Sequence, residues 1–182
     1  MRKLKITELN RLTSDEYKES LKTSLTIVLD HVRSLNNVGS VFRTADAFRL
    51  ESVYLCGITA TPPHPEIHKT ALGAEDTVDW CYFENTVDAI RTLKDQGYIL
   101  CAIEQAEGSV LLNELKLDAD KKYALILGHE VKGVQQEVVD QCDFCVEIPQ
   151  YGTKHSLNVS VAAGIVIWDF FKQLSDLSVF DQ

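Results

Sequence analysis

Apolar runs alternate along the chain with segments of helical spacing. LTIVLDHV (25–32) and SVYLCGI (52–58) read as buried strands. TVDWCYF (77–83), GYILCAIE (97–104), YALILG (123–128) and FCVEIP (144–149) follow. Helix-like spacing covers about 37–49, 64–72, 85–96, 110–115 and 133–140, and a last helix about 156–174. Strands rich in Val, Ile and Leu, without polar alternation, are buried on both faces. Interleaved with helices, they predict an α/β fold, a parallel sheet covered by helices on both faces. Residues 1–24 predict a short N-terminal helical extension, with a capping box at Thr13-Ser-Asp-Glu16. The only candidate linker is near 20–24, and residues 25–182 form the main domain.

Ligands of α/β sheets sit in the loops after the carboxyl ends of strands. Three such loops carry unusual residues. In LDHVRSLNNVGSVFRTADAF, Asn37 suits an N-cap, and Val38, Val41, Phe42, Ala45 and Phe48 form an apolar stripe. Arg43 points away from that stripe, and Gly39 admits a close backbone or ligand. In LILGHEVKGVQQEV, Gly128, Glu130 and Gly133 form G-x-E-x-x-G, which is neither a phosphate loop nor a dinucleotide fingerprint. In EIPQYGTKHSLNVSVAAGIVIWDFF, Pro149 and Gly152 set a turn. Ser156, Asn158 and Ser160 then open a helix apolar all round from Val159 to Trp168, which predicts burial. Gly164 inside it suggests close packing against another backbone or a partner's helix. Taken singly, each loop also reads as an ordinary cap, turn or helix entry.

The 182 residues suffice for one domain with a real core. The apolar share of 45% and charged share of 25% exclude disorder and coiled coil. The longest apolar run, Val161 to Trp168, is far short of a membrane span, and MRKLKITELN lacks a signal-peptide core, so a cytoplasmic protein is expected. Cys56, Cys81, Cys101, Cys142 and Cys145 fit reduced core thiols; the lone C-x-x-C lacks the second ligand pair of a zinc site, so no metal is expected. His31, His64, His68, His129 and His155 fall in no nucleophile pattern and read as surface or structural. The net charge of −9 argues against nucleic acid as a partner. It is uneven, however. Residues 1–24 carry six basic and four acidic side chains, leaving −11 on the rest.

The ordered set is more specific than its parts. Asn37-x-Gly39-x-x-x-Arg43-Thr44, then Gly128-x-Glu130-x-x-Gly133, then I-P-x-x-G…S-L-N-V-S-V-A (Ile148 to Ala162) resembles the three motifs of the SpoU, or TrmH-type, RNA ribose methyltransferases of the SPOUT superfamily. The resemblance covers about 25–174. It implies a deep C-terminal trefoil knot, with 149–155 and the following helix threading the loop around 128–133. It implies S-adenosylmethionine as cofactor, with Gly128, Ile148 and Leu157 at contact positions and Gly133 in the same loop. It also implies a homodimer through the knot region and structured tRNA or rRNA as the partner; neither DNA nor a membrane is expected as one.

By that resemblance the reaction is methyl transfer to a ribose 2′-hydroxyl. Arg43 matches the catalytic arginine. It would act as a base helped by an RNA phosphate, or clamp the phosphate and stabilise alkoxide charge. The second suits a guanidinium, whose pKa exceeds about 12. Asn37 and Glu130 would hold Arg43 and the loop; Ser156 and Asn158 would order the cofactor pocket and the ribose. In the dimer Arg43 would serve the partner's site. The chain departs from the commoner pattern at His129, where asparagine is usual, and at Arg49, where glycine often stands. RNA contact is expected from the N-terminal segment, Arg33, Arg49, Lys69 and Lys154. The alternatives are a knotted dimeric RNA-binding protein without turnover, and a non-RNA methyltransferase or nucleotide-binding α/β protein.

Overall fold

The computed structural model describes residues 1–175; residues 176–182, the end of the expected main domain, lie outside the described residues. After a 3-10 turn at Ile6–Glu8, the order is α1 (Ser14–Glu19), β1 (Thr23–Asp30), α2 (Leu35–Ala47), β2 (Leu50–Cys56), α3 (Pro65–Ala71), α4 (Ala74–Thr77) and β3 (Trp80–Phe83). Then come α5 (Thr86–Asp95), β4 (Tyr98–Ile103), β5 (Val110–Leu111), β6 (Lys122–Leu127), α6 (Gln136–Val139), β7 (Phe144–Glu147) and α7 (Val159–Leu174).

One sheet holds seven strands in the order β3-β2-β1-β6-β4-β7-β5, and every pairing is parallel. Successive side chains alternate between two cores. Leu25, Ile27, Leu29, Leu125 and Leu127 face one, with α2, α3 and α7. Val28, Ala124, Ile126 and Leu100 face the other, with α5 and α6. Because both faces are covered, no polar alternation shows in the sequence. Since β6 lies between β1 and β4, the loops leaving β1, β6, β4 and β7 gather along one edge of the sheet.

The structure corrects several expectations. Residues 110–115 form no helix: Val110–Leu111 is an edge strand on β7, and a turn follows. Val110 and Leu111 pair with Val146 and Glu147, which overrides the local pattern. The strand expected from 77 begins only at Trp80, because Thr77 ends α4 and a bend at Val78 follows it. The segment 20–24 is no free linker, because β1 begins at Thr23, whose N–H donates to Arg49 O. The capping box is present, with Thr13 and Glu16 bonded reciprocally. Tyr17 of that helix is buried in the main core.

Helix α7 is apolar all round but not buried all round. Ala163, Val166, Ile167 and Phe170 are fully buried, whereas Val161 is 51%, Ile165 39% and Trp168 48% exposed. These three share a face at i, i+4 and i+7. A Cβ at Gly164 would meet open space, so among the described residues no backbone from another part of the chain packs there. Gly39 is the opposite case. A Cβ there would overlap Thr70 Oγ1 and Ile67 O, so it sets the close approach of α2 and α3.

Candidate active site

Two glycines close the loop after β6. A Cβ on Gly128 would overlap the Gly133 carbonyl carbon and the Val134 nitrogen, and Gly133 has φ +69°. His129 N–H donates to Gly133 O (3.1 Å), and Gly133 N–H donates back to His129 O (2.8 Å). The G-x-E-x-x-G spacing is therefore a tight loop that turns Glu130 outward. His129 Nδ1 accepts from Val131 N–H (3.0 Å) and Lys132 N–H (3.3 Å).

Glu130 reaches across to the start of α2. Its carboxylate accepts from Arg33 N–H (3.1 Å), Ser34 N–H (2.9 Å) and Asn37 Nδ2 (3.1 Å). Burial works against its ionisation, but the Arg33, Ser34 and Asn37 donors outweigh it and hold the carboxyl below its usual range. Asn37 is not the N-cap of α2. Ser34 is, with its hydroxyl accepting from Asn37 N–H at 3.3 Å. One turn inside the helix, the Asn37 side chain is free for tertiary bonds, and its Oδ1 accepts from Asn158 Nδ2 (3.2 Å). Asn158 in turn caps α7, accepting from Ser160 N–H at 2.9 Å. Helix α7 thus starts later than expected, and Ser156 lies in the loop before it.

A cavity of about 500 Å³ opens at the carboxyl ends of β4, β6 and β7. Gly128, Gly133, Ile148 and Leu157 all line it, as do Glu130, Ser156 and Asn158. Glu104 and Glu147 add carboxylates to the wall. Sequence reasoning missed Glu104. It fills the space that a side chain at 133 would need, and it accepts from Val134 N–H (3.0 Å), tying β4 to the loop. A lone acid after a strand carries no signal; only the missing Cβ at Gly133 gives it meaning. Gln105 Nε2 donates to His155 O (2.9 Å), which draws the segment before Ser156 to the cavity mouth.

Arg43 is not in this cavity. It lies six residues beyond Asn37, about 9 Å along α2. It is exposed, and lines a second hollow with Ser40, Thr44, Lys69 and Thr70. Asn37 and Glu130 do not touch it directly; they hold the helix that carries it. Arg49, at the usual glycine position, has φ +48°, which explains glycine's suitability there.

The histidines are structural where bonded. His64 caps α3, its Nδ1 accepting from Glu66 N–H at 3.2 Å, and His68 Nδ1 meets Glu75 Oε1 at 2.6 Å. The five cysteines are free thiols; burial pushes Cys56 and Cys142 up to about 12, which disfavours a thiolate nucleophile. Among the described residues no group of three or more His, Cys, Asp or Glu side chains converges as a metal site. Nor is any described helix long and apolar enough to cross a membrane.

Residues 24–168 match the SpoU rRNA Methylase family. The chain is 34% identical over 172 residues to 23S rRNA (guanosine-2'-O-)-methyltransferase RlmB of Nitrosomonas europaea, covering 93% of this chain and 65% of that protein. Its fold matches the A. aeolicus TrmH/SpoU tRNA modifying enzyme with TM-score 0.80 and 27% identity, over 93% of this chain and 84% of that one. It also matches an AdoMet-bound rRNA methyltransferase from Sinorhizobium meliloti with TM-score 0.78 and 28% identity, over 88% of this chain and 61% of that one. The chain spans 65% of the length of the curated relatives it matches.

Proposed function

The chain belongs to the SpoU rRNA methylase family, and from that premise we propose that it methylates a ribose 2′-hydroxyl of tRNA or rRNA, using S-adenosylmethionine. One observation carries the reading. The hydrogen-bonded chain Glu130–Asn37–Asn158 ties the cavity's loop, the start of α2 and the cap of α7 into one unit, and Arg43 rides on α2.

The cavity residues fit the cofactor. The volume of about 500 Å³ lies in the range of small-ligand sites. Ile148 and Leu157 offer apolar wall for an adenine, and Gly128 lets backbone approach closely. Glu104, Glu130 and Glu147 suit a ligand bearing a sulfonium and an ammonium. When bound, S-adenosylmethionine supplies the electrophilic methyl. The protein's task is then positioning and charge stabilisation.

The two hollows divide the charge. Carboxylates around the cavity disfavour phosphate there, whereas Arg43 and Lys69 line the second hollow and favour it. Arg43 clamps an RNA phosphate and stabilises the developing alkoxide. Ser156 and Asn158 order the pocket and the target ribose. Gly128, Gly133, Ile148 and Leu157 hold the cofactor, and Asn37 and Glu130 fix the helix that carries Arg43.

The segment 149–155 and α7 thread the 128–133 loop as a deep trefoil knot. A second copy of the chain covers the Val161, Ile165 and Trp168 face, a reading supported by their exposure and by the open space at Gly164. The separation of Arg43 from its own chain's cavity supports service at the partner's site. The working compartment is the cytoplasm.

The deciding experiment is mass spectrometry of nucleosides after incubation with labelled S-adenosylmethionine and unmodified tRNA or rRNA. A new 2′-O-methylnucleoside, absent with Arg43→Ala, is expected. Cofactor binding without product from either pool would favour a dimeric RNA-binding protein without turnover.

A further inference from the structure

We infer that His129 is a positioning residue: its Nδ1 latches the 129–133 loop at the cofactor cavity, and a second ring proton undoes the latch. The inference rests on the cofactor reading above for its ligand, but its geometry is that of the protein alone.

Both groups that approach Nδ1 are backbone N–H donors, from Val131 and Lys132. A backbone N–H can only donate, so Nδ1 accepts and the ring hydrogen sits on Nε2. The two amides belong to the tip of the loop, where Val131 is 83% exposed. The main-chain pair between His129 and Gly133 closes the base of the loop. The imidazole therefore organises the tip from inside. It also sits between the two glycines that shape the cavity wall, and His129, Val131 and Lys132 all line that wall.

Protonation at Nδ1 would place an N–H against two N–H donors. The latch would lose both bonds and gain a repulsion between like donors. The other titratable groups that line the cavity are Glu104 at the end of β4, which accepts from Val134 N–H, Glu147 at the end of β7 and His155 before α7; Glu130 and Lys132 lie on the loop itself. An asparagine at 129 can present an amide oxygen, which accepts as Nδ1 does but takes no proton. A leucine can do neither.

The test is calorimetric titration of the whole protein with S-adenosylmethionine at about pH 8 and about pH 5, the span over which imidazoles exchange a proton. Wild type is expected to bind more weakly at the lower pH. His129→Asn is expected to match wild type within about twofold at the higher pH and to lose less affinity on acidification. His129→Leu is expected to bind about tenfold more weakly at the higher pH, the loss expected for two hydrogen bonds that shape the loop. His129→Leu binding like wild type, or His129→Asn showing the same acid loss as wild type, would overturn the inference.

A second readout needs no ligand. Amide exchange at Val131 and Lys132, normalised to intrinsic rates, should show protection in wild type and His129→Asn and reduced protection in His129→Leu. If wild type binds no S-adenosylmethionine, the cofactor reading fails. Equal protection in wild type and His129→Leu would then still sink the latch.

Discussion

Asn37 Nδ2 donates to Glu130 Oε1 at 3.1 Å across 93 residues of chain. The same Asn37 accepts from Asn158, which lies 121 residues along from it. One amide side chain on α2 thus joins the loop after β6 to the cap of α7. Its donor and its acceptor are both used, so neither can be lost without orphaning a partner.

Glu130→Gln should weaken this junction. The neutral amide keeps one acceptor but loses the charge-assisted bonds to the Arg33 and Ser34 amides beside the helix start. A loss of about 1–2 kcal/mol in urea unfolding at neutral pH is expected. The Glu130 carboxyl is held below its usual range in the folded protein. Its contribution is therefore complete above the unfolded carboxyl value of about 4.3 and fades as pH falls through the lower folded value. The gap between wild type and variant should narrow at about pH 3. A gap as wide there as at neutral pH would refute the ionic role.

Gly128→Ala should open the loop. Its Cβ would overlap main-chain atoms of Gly133 and Val134, which cannot rotate away. Overpacking of this kind costs about 1–3 kcal/mol, and here it falls on the cavity wall. Cofactor affinity should drop by an order of magnitude or more, at roughly 1.4 kcal/mol per decade. Gly152→Ala, where a Cβ meets open space, is the matched control and should bind normally.

The sheet was legible because its strands are buried on both faces, which leaves long unbroken runs such as Leu25, Ile27, Val28 and Leu29. The glycines and Glu130 were legible by their spacing. What stayed hidden depends on partners far away in sequence. Ser34 and Asn37 are both good caps, and only the bonds to Glu130 and Asn158 release the Asn37 side chain and leave the capping to Ser34. Val110–Leu111 is a strand only because β7 offers it an edge. Glu104 and the His129 latch depend on amides in loops that no periodicity describes.

Deleting residues 1–12 tests the N-terminal segment as an RNA-binding element. The cut removes Arg2, Lys3, Lys5 and Arg11 against Glu8, yet spares the Thr13 cap. RNA affinity should fall, and the salt slope should flatten by about one for each phosphate no longer neutralised. Cofactor affinity should hold. A cut at residue 20 is a poorer test, since it strips buried Tyr17 from the core and should lower the melting temperature on its own account. Unchanged filter binding by the shorter deletion would remove this segment from the RNA surface.

Arg43 provides the test that joins site to assembly. It lines a hollow apart from the cofactor cavity, so Arg43→Ala should keep cofactor affinity while losing about 10²–10³ in rate. Gly128→Ala should lose rate through the cavity instead. If Arg43 serves the partner's cavity, neither homodimer works. A mixed dimer then pairs the intact cavity of the Arg43→Ala chain with the intact arginine of the Gly128→Ala chain. Random re-association after mild unfolding makes about half the dimers mixed, each with one working site. About a quarter of wild-type turnover should return. If Arg43 instead serves its own chain's cavity, the same mixture holds no complete site and stays silent. Lysine at Val161 and Ile165, half-exposed on α7, should split the dimer while leaving each chain folded. That double variant should elute as a 20.4 kDa monomer, bind cofactor and fail to turn over. An active monomer would place Arg43 at its own chain's cavity.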